Sequence, residues 1–485
     1  MVEDERGNLL RDVVGWIVWG GVLSFALMSY GGVIGCCASC AALFFVFYAV
    51  EAGNASFDLG FLWGSAWISS VFVPVVYSLI RVVGDWWCAV GLVVVGLLLV
   101  PYAAWWVGVW LYGLVRVKRL VTNLVCRIIS LSLVTLLFLW LFLKWALSIF
   151  GSGEGFFLLH PLLPLMDFYF GRLIICQGGE WGALFALVMM AYLFAVLVIR
   201  ERVLAALCLL VGLGLAVGVD AHLSFVGGEN PAWLNGVVMV PGHELIEGGY
   251  SPCQSIDVQK YVQGLGRLIL KAKERAGQGV RCVVILPESS FPALVRDDSA
   301  VCQALSSVSC GSDVILGCYR SYRCGEANAC SWFRDGVLEG SYIKRHGVPF
   351  VERIPAWCDY PFVRAILQPL LGGGEPFVQG VEPATIFGVS GVSFVPLICS
   401  ELFFTDEIVK EIVAMQRVGG GTPVCGLALV NDAWFLGTSF LGVSVPDMLW
   451  REAALRSVTQ RLYMVYASYT RGGFFDGKGR WFEFH

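Results

Sequence analysis

Charged residues and histidines are scarce in this sequence. Only 14% of its 485 residues are charged and five are histidine. A soluble globular protein carries roughly 25% charged residues, so the composition argues against an ordinary soluble enzyme. It also excludes a disordered chain, which needs low hydrophobicity and high net charge. With 33 basic and 37 acidic residues the net charge is −4, and no nucleic-acid-binding motif occurs. A nucleic-acid partner is therefore not expected.

Long apolar segments fill the first half of the chain. Over all 485 residues, 57% are apolar and the mean hydropathy is +0.73. A membrane span needs about 20 apolar residues. Seven segments approach or exceed this length: 13–30, 33–50, 59–80, 88–112, 121–149, 181–199 and 203–219. The basic loops at 116–119 and 200–202 lie two spans apart, so the positive-inside rule places both in the cytoplasm. We therefore expect a cytoplasmic N-terminus, a first helix that is not cleaved, and an extracytoplasmic segment from residue 220 onward.

The second half predicts an α/β domain, because short β-rich stretches alternate with helical patterns. Helical patterns occupy 257–276, 401–416 and 447–462. The predicted strands are Val237–Val240, Cys282–Leu286, Val314–Gly317, Val392–Ile398 and Gly426–Val430. Asp335-Gly336 and Asp476-Gly477 are hairpin-turn signals. The predicted organisation is a transmembrane helical domain over 1–219 and an α/β domain over 220–485.

The seventeen cysteines do not form a metal-binding pattern. Structural metal sites need paired ligands at repeated short spacings, and the early cysteines lie mostly in apolar runs without histidine or carboxylate neighbours. No metal site is therefore expected. Cys302 with Cys310, and Cys324 with Cys330, could form disulfides if the second half faces an oxidising compartment.

Several catalytic motifs are absent: G-x-S-x-G, H-E-x-x-H, the P-loop and G-x-G-x-x-G. A nucleophile would therefore need activation by a group other than imidazole. Glu288 follows a predicted buried strand, where α/β sheets place their chemistry. Lys344 and Glu352 flank a proline turn, and Cys399 lies at a strand-to-helix elbow, which favours a thiolate. Taken singly, each also fits a solvated carboxylate, a surface salt bridge or an inert buried thiol.

Together these positions resemble the Glu–Lys–Cys order of the nitrilase (carbon–nitrogen hydrolase) superfamily. The matching segments are Pro287-Glu288, Tyr342-x-Lys344 with Val348-Pro349-Phe350-x-Glu352, and Ile398-Cys399-x-Glu401. Intervals of 56 and 55 residues separate the three. The later Asn431-Asp432-Ala433-Trp434-Phe435 fits the same pattern. A nitrilase-like domain behind seven apolar segments is similar to the apolipoprotein N-acyltransferase family, and the resemblance covers nearly the whole chain.

The resemblance implies an αββα sandwich and a ping-pong acyl transfer without a cofactor. Cys399 would attack a phospholipid ester and carry the acyl chain as a thioester, with Glu288 as general base. Lys344 would bind the oxyanion, and Glu352 would orient Lys344 or the acceptor amine. Glu401 would also fix the elbow through hydrogen bonds. Substrate contacts are expected from Glu401, Ser400 and Trp434.

The same resemblance implies the substrates and the location. The acyl donor would be a phospholipid, and the acceptor would be the α-amine of the diacylglyceryl-modified cysteine of a bacterial apolipoprotein. The protein would be a monomer in the cytoplasmic (inner) membrane, with its catalytic domain on the periplasmic side.

Three features differ from the family's pattern. Ser400 stands where the family usually has Tyr, and Pro241-Gly242-His243 with Tyr250 replaces a Gln-Gly-Asn segment and a following Trp. The sequence ends at His485 without the family's last transmembrane helix. We expect these differences to affect lipid and peptide contacts rather than the triad.

Two other functions stay open. A membrane-tethered amidase or nitrilase would use the same triad, and a degenerate relative would bind lipoproteins without catalysis. A transporter with an extracytoplasmic cap is less favoured, because no acidic residue lies in mid-span.

Overall fold

The structure is a computed structural model. It describes residues 13–21, 32–83, 86–142, 162–167, 169–200, 237–239, 258–276, 282–295, 303, 306–307, 311–323, 325–349, 351–355, 359–367, 376–382, 387–389, 391–404, 424–435 and 445–483. The chain divides into two compact units, the first holding the long N-terminal helices and the second every strand of the described residues. The predicted domain boundary at 219/220 lies outside the described residues and stays a prediction.

Long helices make up most of the described part of the first 200 residues. They are α1 (Gly32–Ala52), α2 (Phe57–Val83), α3 (Trp86–Leu120), α4 (Leu124–Leu141) and α5 (Tyr169–Ile199). Helix α1 packs against α5, and α5 against α4. Arg127 forms an ion pair with Glu51 at 3.2 Å, and the Lys118 ammonium donates to the Val50 carbonyl at 2.8 Å. These polar contacts therefore join the ends of helices whose side chains are otherwise mostly apolar.

The predicted apolar segments 33–50, 59–80, 88–112 and 181–199 lie within these helices, and helix α4 covers the described part of 121–149 from Leu124 to Leu141. Within the described ranges, Leu124–Leu141 and Gly171–Ile199 are long and apolar enough to cross a membrane. Helix α5 begins earlier than predicted and is kinked at Gly179, whose φ is 69°. Residues 22–30 and the whole of 203–219 lie outside the described residues, so the seven-span bundle stays a prediction.

The first sheet is formed by six strands in the first part of the second unit. Strands β1 (Val237–Met239), β2 (Val283–Ile285) and β4 (Asp313–Tyr322) run parallel, and β3 (Phe291–Val295) also pairs with β4. Strands β5 (Gly325–Arg334) and β6 (Val337–Ile343) continue the sheet antiparallel. The predicted Asp335-Gly336 turn joins them, with φ of 49° and 86°.

The second sheet also has six strands, in the order β12-β11-β10-β9-β8-β7. They are β7 (Phe387–Val389), β8 (Val392–Ile398), β9 (Val424–Leu429), β10 (Tyr463–Ala467), β11 (Gly472–Phe475) and β12 (Trp481–Glu483). Strands β8, β9 and β10 are parallel, and their neighbours on both sides are antiparallel. The predicted hairpin at Asp476-Gly477 connects β11 to β12.

The two sheets pack face to face around one apolar core. Side chains alternate along a strand, so Val283 and Ile285 of β2 face the second sheet while Val284 faces helix α6 (Val258–Ala276). The core between the sheets includes Ile315, Trp332, Phe387, Phe394, Ile398, Leu427 and Val465. Helix, sheet and sheet are three of the four predicted layers. The α/β sandwich is confirmed.

Most predicted strands and helices occur within a few residues of their expected bounds. The helical patterns at 257–276 and 447–462 correspond to α6 and to helix α8 (Val445–Gln460), and α7 (Pro361–Leu367) is a short additional helix. Of the pattern at 401–416, only a 3-10 helix over Cys399–Phe403 is described.

One of the possible disulfide partners, Cys330, takes part in no disulfide. Cys330 is a free thiol with no exposed surface, because it lies in the middle of β5 and packs in the core between the sheets. It therefore has no disulfide to Cys324. Cys302, Cys310 and Cys324 lie outside the described residues, as do Pro241, Gly242, His243 and Tyr250.

Candidate active site

Glu288 follows the buried strand β2, in a turn that is pressed against β4. The Gly317 N–H donates to the Pro287 carbonyl at 3.2 Å. A Cβ added at Gly317 would lie 2.5 Å from the Glu288 Cα, so only glycine allows this approach. Ser289, the next residue, has a φ of 54°. The turn holds the Glu288 carboxylate in the interior, where the residue is 4% exposed.

Lys344 immediately follows β6 and remains paired with β5. Its N–H donates to the Asn328 carbonyl at 2.9 Å, and its own carbonyl accepts from the Gly380 N–H at 2.9 Å. These bonds fix the backbone on both sides of the side chain. The ammonium is therefore held inside the protein, and Lys344 is 2% exposed.

Cys399 directly follows β8 and opens the 3-10 helix Cys399–Phe403, so the predicted strand-to-helix elbow is present. Its φ is 49°. Positive φ is uncommon for residues other than glycine, and such strain clusters at functional sites. The Ile398 N–H donates to Glu401 Oε2 at 2.8 Å, which holds the elbow from below.

Glu288, Lys344 and Glu352 form one buried ionic cluster. The Lys344 Nζ lies 2.9 Å from Glu288 Oε1, and 3.0 Å and 2.8 Å from the two oxygens of Glu352. The Val348 N–H also donates to Glu352 Oε2 at 2.6 Å. The structure thus brings together three residues spread over 65 positions of the sequence, from 288 to 352.

The Cys399 thiol lies within the electrostatic field of this cluster. Burial raises the pKa of Cys399 well above its ordinary value, and the negative charge of Glu288 and a hydrogen bond to it raise it further. The Lys344 ammonium acts in the opposite direction. For Lys344 itself, burial alone would lower the pKa, but Glu288 and Glu352 outweigh it and the pKa is raised. The arrangement therefore keeps a thiol and a permanent cation beside a carboxylate that can take the thiol proton.

Two asparagines complete the cluster. Asn328, on β5, donates from Nδ2 to Glu288 Oε1 at 2.7 Å and to Glu352 Oε1 at 2.8 Å. The Asn431 N–H, just after β9, donates to Glu288 Oε2 at 3.0 Å. Sequence reasoning placed Asn431 in a motif without a role and missed Asn328. The sequence feature that could identify Asn328 is a lone asparagine inside an otherwise buried strand, where Asn is disfavoured.

Glu401 and Ser400 contact the protein rather than open space. Glu401 Oε1 accepts from the Tyr342 hydroxyl at 2.7 Å and from the Arg345 N–H at 2.8 Å. The Ser400 hydroxyl donates to the His346 carbonyl at 2.6 Å. Both residues are 1% exposed. The predicted fixing of the elbow by Glu401 matches these contacts, and substrate binding by Glu401 and Ser400 has no support in them.

Trp434 belongs to a 3-10 helix over Ala433–Phe435, and its side chain is outside the described structure. In the described residues no group of three or more His, Cys, Asp or Glu side chains is arranged to hold a metal ion. Lys344 instead supplies the positive charge between the carboxylates.

The chain is similar to curated proteins named apolipoprotein N-acyltransferase. It is 28% identical to that of Allorhizobium ampelinum over 211 residues, which cover 41% of this chain and 37% of the relative. The protein of Methylococcus capsulatus is 28% identical over 202 residues, covering 41% and 37%. That of Rhodopseudomonas palustris is 30% identical over 203 residues, covering 40% and 35%. The similarity to this family is confirmed over about 40% of the chain rather than nearly all of it, and the aligned part spans just over a third of each relative.

Solved structures of low overall similarity were also found. A mutant of an amidase from Nesterenkonia, of the nitrilase superfamily, is 15% identical with a TM-score of 0.34, covering 51% of this chain and 86% of the amidase. A glutamine-dependent NAD+ synthetase from Acinetobacter baumannii is 17% identical with a TM-score of 0.32, covering 46% and 40%. No family model matches the chain.

Proposed function

We propose that this chain is an N-acyltransferase that moves an acyl chain from a phospholipid, through a thioester on Cys399, to the α-amine of a diacylglyceryl-cysteine in a bacterial apolipoprotein. The observation that carries the proposal is the buried cluster of Glu288, Lys344 and Glu352 beside the strained elbow of Cys399. The relatives' name supports the choice of substrates, and the chain spans only part of their length.

The two glutamates have different roles because their hydrogen bonds differ. A carboxylate has about four lone-pair sites. Glu352 accepts hydrogen bonds from Asn328 and Lys344 on Oε1 and from the Val348 N–H on Oε2, which also lies 2.8 Å from the Lys344 ammonium. The Lys344 ammonium lies against both oxygens of Glu352, and the charge of Glu288 acts on the Cys399 thiol more strongly than that of Glu352. It orients Lys344, and Glu288 is the general base.

The first half-reaction forms the thioester. Glu288 takes the Cys399 thiol proton as the sulfur attacks the ester carbonyl carbon of the phospholipid. The Lys344 ammonium and a backbone N–H at the elbow stabilise the oxyanion; loss of one such donor typically costs about 10²–10³ in rate. As the intermediate collapses, the carbon–oxygen ester bond breaks and Glu288 returns its proton to the leaving lysophospholipid.

The second half-reaction consumes the thioester. The α-amine of the acceptor cysteine attacks the thioester carbonyl, and Glu288 accepts the amine proton. The carbon–sulfur bond then breaks, and the sulfur recovers a proton from Glu288, which regenerates the thiol. The products are an amide on the acceptor and the free enzyme. Water must be excluded between the two halves, because it would hydrolyse the thioester.

The membrane helices fit two lipid-anchored substrates. We propose that the first 219 residues span the cytoplasmic membrane seven times, with the domain over 220–485 on the periplasmic side. Reporter fusions test this topology: green fluorescent protein fused within 116–119 should fluoresce, and alkaline phosphatase fused after 220 should be active. The reverse pattern would contradict the orientation.

The decisive experiment for the activity is a reaction of the full chain in detergent, followed by mass spectrometry. The substrates are a phospholipid with a labelled acyl chain and a diacylglyceryl-cysteine lipopeptide. We expect label on Cys399 and then on the lipopeptide amine. Cys399→Ala should abolish both signals, whereas Cys126→Ala, which removes an exposed thiol on α4, should change neither.

The other outcomes discriminate between functions. Release of labelled free fatty acid without amide, or turnover of simple amides, would favour a membrane-tethered hydrolase. An unmodified Cys399 together with binding of the lipopeptide would favour a non-catalytic lipoprotein-binding protein.

A further inference from the structure

Asn328 occupies an unusual place for an uncharged side chain. It lies on β5 and is 4% exposed, and its amide nitrogen donates to the carboxylates of both Glu288 and Glu352, at 2.7 Å and 2.8 Å. These two bonds use both hydrogens of the amide nitrogen. They also fix the orientation of the amide, because the opposite orientation would place its oxygen against two carboxylates.

The amide oxygen of Asn328 is buried without a hydrogen-bond partner. A buried, unpaired acceptor is unfavourable for folding. Asn328 therefore contributes to the site through its two N–H donors. The amide orientation that these bonds require is what leaves the oxygen unpaired. A buried unpaired acceptor calls for a physical explanation, and the two bonds to the carboxylates supply it.

The donors around Glu288 leave one lone-pair site open. Oε1 receives Asn328 and Lys344, which occupies both of its sites. Oε2 receives the Asn431 N–H at 3.0 Å and has one site left. Without Asn328, Oε1 would gain an open site, and the carboxylate could accept a proton on either oxygen.

We infer that Asn328 is a positioning residue that blocks Oε1 of Glu288, so that the Cys399 proton passes to Oε2, while its second N–H holds Glu352 against Lys344. This inference rests on the proposed acyl transfer for its reaction. Asn328 does not itself touch the reacting atoms. Its neutrality matters, because a third carboxylate at this position would compete with Glu288 and Glu352 for the Lys344 ammonium.

The test compares three variants of the full chain in detergent. Asn328→Ala removes both donors, Asn328→Asp keeps the shape and replaces the donors with acceptors, and Ser331→Ala is the matched control. Ser331 lies three residues along the same strand and is fully buried, but its hydroxyl contacts the Cys318 sulfur and Ser341 instead of the cluster. Rates are normalised to the folded fraction.

The readout is the initial rate of acyl-Cys399 formation from labelled phospholipid between pH 5 and 10. The titratable groups that face Glu288 are Lys344, Glu352, Cys399 and Tyr319. Loss of donors to an ionised carboxylate makes it easier to protonate. We expect both Asn328 variants to lose about 10–100-fold in rate, as for hydrogen bonds to charged groups, and their acidic limb to move to higher pH. Ser331→Ala should stay within about twofold with an unmoved limb.

Two results would overturn the inference. One is a loss of less than about threefold in both Asn328 variants. The other is a loss of rate with an unmoved acidic limb, which is the pattern of a purely structural residue. If Asn328→Ala does not fold, the isosteric Asn328→Asp gives the same decision.

Failure of the proposed function is recognised separately. If the wild type forms no acyl-Cys399, the reaction assignment fails, and alkylation of Cys399 by iodoacetamide replaces acylation as the readout. Asn328→Asp should then move the half-maximal pH of alkylation upward, because it adds a negative charge beside the cluster. An unmoved profile would overturn the placement of Asn328 in the Cys399 environment.

Discussion

The Tyr342 hydroxyl donates to Glu401 Oε1 at 2.7 Å, and this bond joins a strand of the first sheet to the elbow that follows a strand of the second. The same carboxylate accepts the N–H of Arg345, the residue after Lys344, at 2.8 Å, and the N–H of Ile398, the residue before Cys399, at 2.8 Å. One buried side chain therefore sets the position of Lys344 relative to Cys399.

Glu401→Ala should destabilise the protein strongly. It removes the acceptor of four donors, two of them in buried bonds, namely the Tyr342 hydroxyl and the N–H groups of Arg345, His346 and Ile398. Each unsatisfied buried donor costs about 1–3 kcal/mol, so the unfolding free energy should fall by roughly 3 kcal/mol or more. Tyr342→Phe removes one donor and leaves the backbone bonds, so it should cost about 1 kcal/mol. Thermal and denaturant unfolding in detergent measures both. Equal losses in the two variants would show that the backbone bonds to Glu401 contribute little.

The strands and turns that surround the site are local features, which explains why the sequence predicts them. Val392–Ile398 is a strand with the predicted bounds, because its apolar run ends where the elbow begins. Asp335-Gly336 is a turn because both residues tolerate positive φ. Glu288 and Cys399 are visible for the same reason, since each follows a recognisable buried strand. Lys344 follows the partly exposed strand β6 and is found from the adjacent proline turn.

Contacts across the sandwich were not predictable from local pattern. Asn328 reaches Glu288 because β4, β5 and β6 pair in a register that only the folded sheet sets. Ser400 follows the nucleophile and was therefore expected to touch substrate. Its hydroxyl bonds the His346 carbonyl, 54 residues away in sequence, and its contact with substrate stays a prediction. The spacing makes Cys330 a disulfide candidate. The alternation of side chains along β5 places its thiol in the core between the sheets.

Ser400→Ala should separate a structural role from a substrate contact. Loss of the bond to the His346 carbonyl should lower the unfolding free energy by about 1 kcal/mol. Because Ser400 is buried against the protein, KM for the phospholipid and for the lipopeptide should both stay within about twofold. Steady-state kinetics on both substrates checks this. A several-fold rise in either KM would restore Ser400 as a substrate-binding residue.

Gly317→Ala should damage the site through the backbone. The added Cβ would lie 2.5 Å from the Glu288 Cα and 2.6 Å from the Pro287 carbonyl oxygen, so the turn must move. A displacement of about 1 Å in a catalytic group can cost 10²-fold in rate, and we expect acyl-Cys399 formation to fall by about that factor. Gly388→Ala on β7 is the matched control, because its Cβ would meet no atom within 4 Å.

One outcome of comparing Gly317→Ala with Gly388→Ala would contradict this prediction. Retention of most of the activity in Gly317→Ala, at a rate similar to Gly388→Ala, would mean that the Glu288 turn shifts without consequence. The proposed dependence of proton transfer on the placement of Glu288 would then be wrong.

The reactivity of Cys399 should depend on pH in a direction set by its surroundings. Burial, and then Glu288, raise the pKa of the thiol, so it keeps its proton at neutral pH. Iodoacetamide reacts with the thiolate, and the half-maximal pH of alkylation should therefore lie above the ordinary thiol value of about 8.5. Glu288→Gln removes a negative charge and should move this midpoint to lower pH. Because the folded pKa is raised, the thiol's contribution to stability is present below the unfolded pKa and declines as pH rises toward the folded one.

Intact-mass spectrometry measures the alkylation of Cys399, with Cys399→Ala giving the background from other cysteines. A wild-type midpoint at or below the ordinary value, or an upward shift in Glu288→Gln, would contradict the proposed pairing of thiol and base.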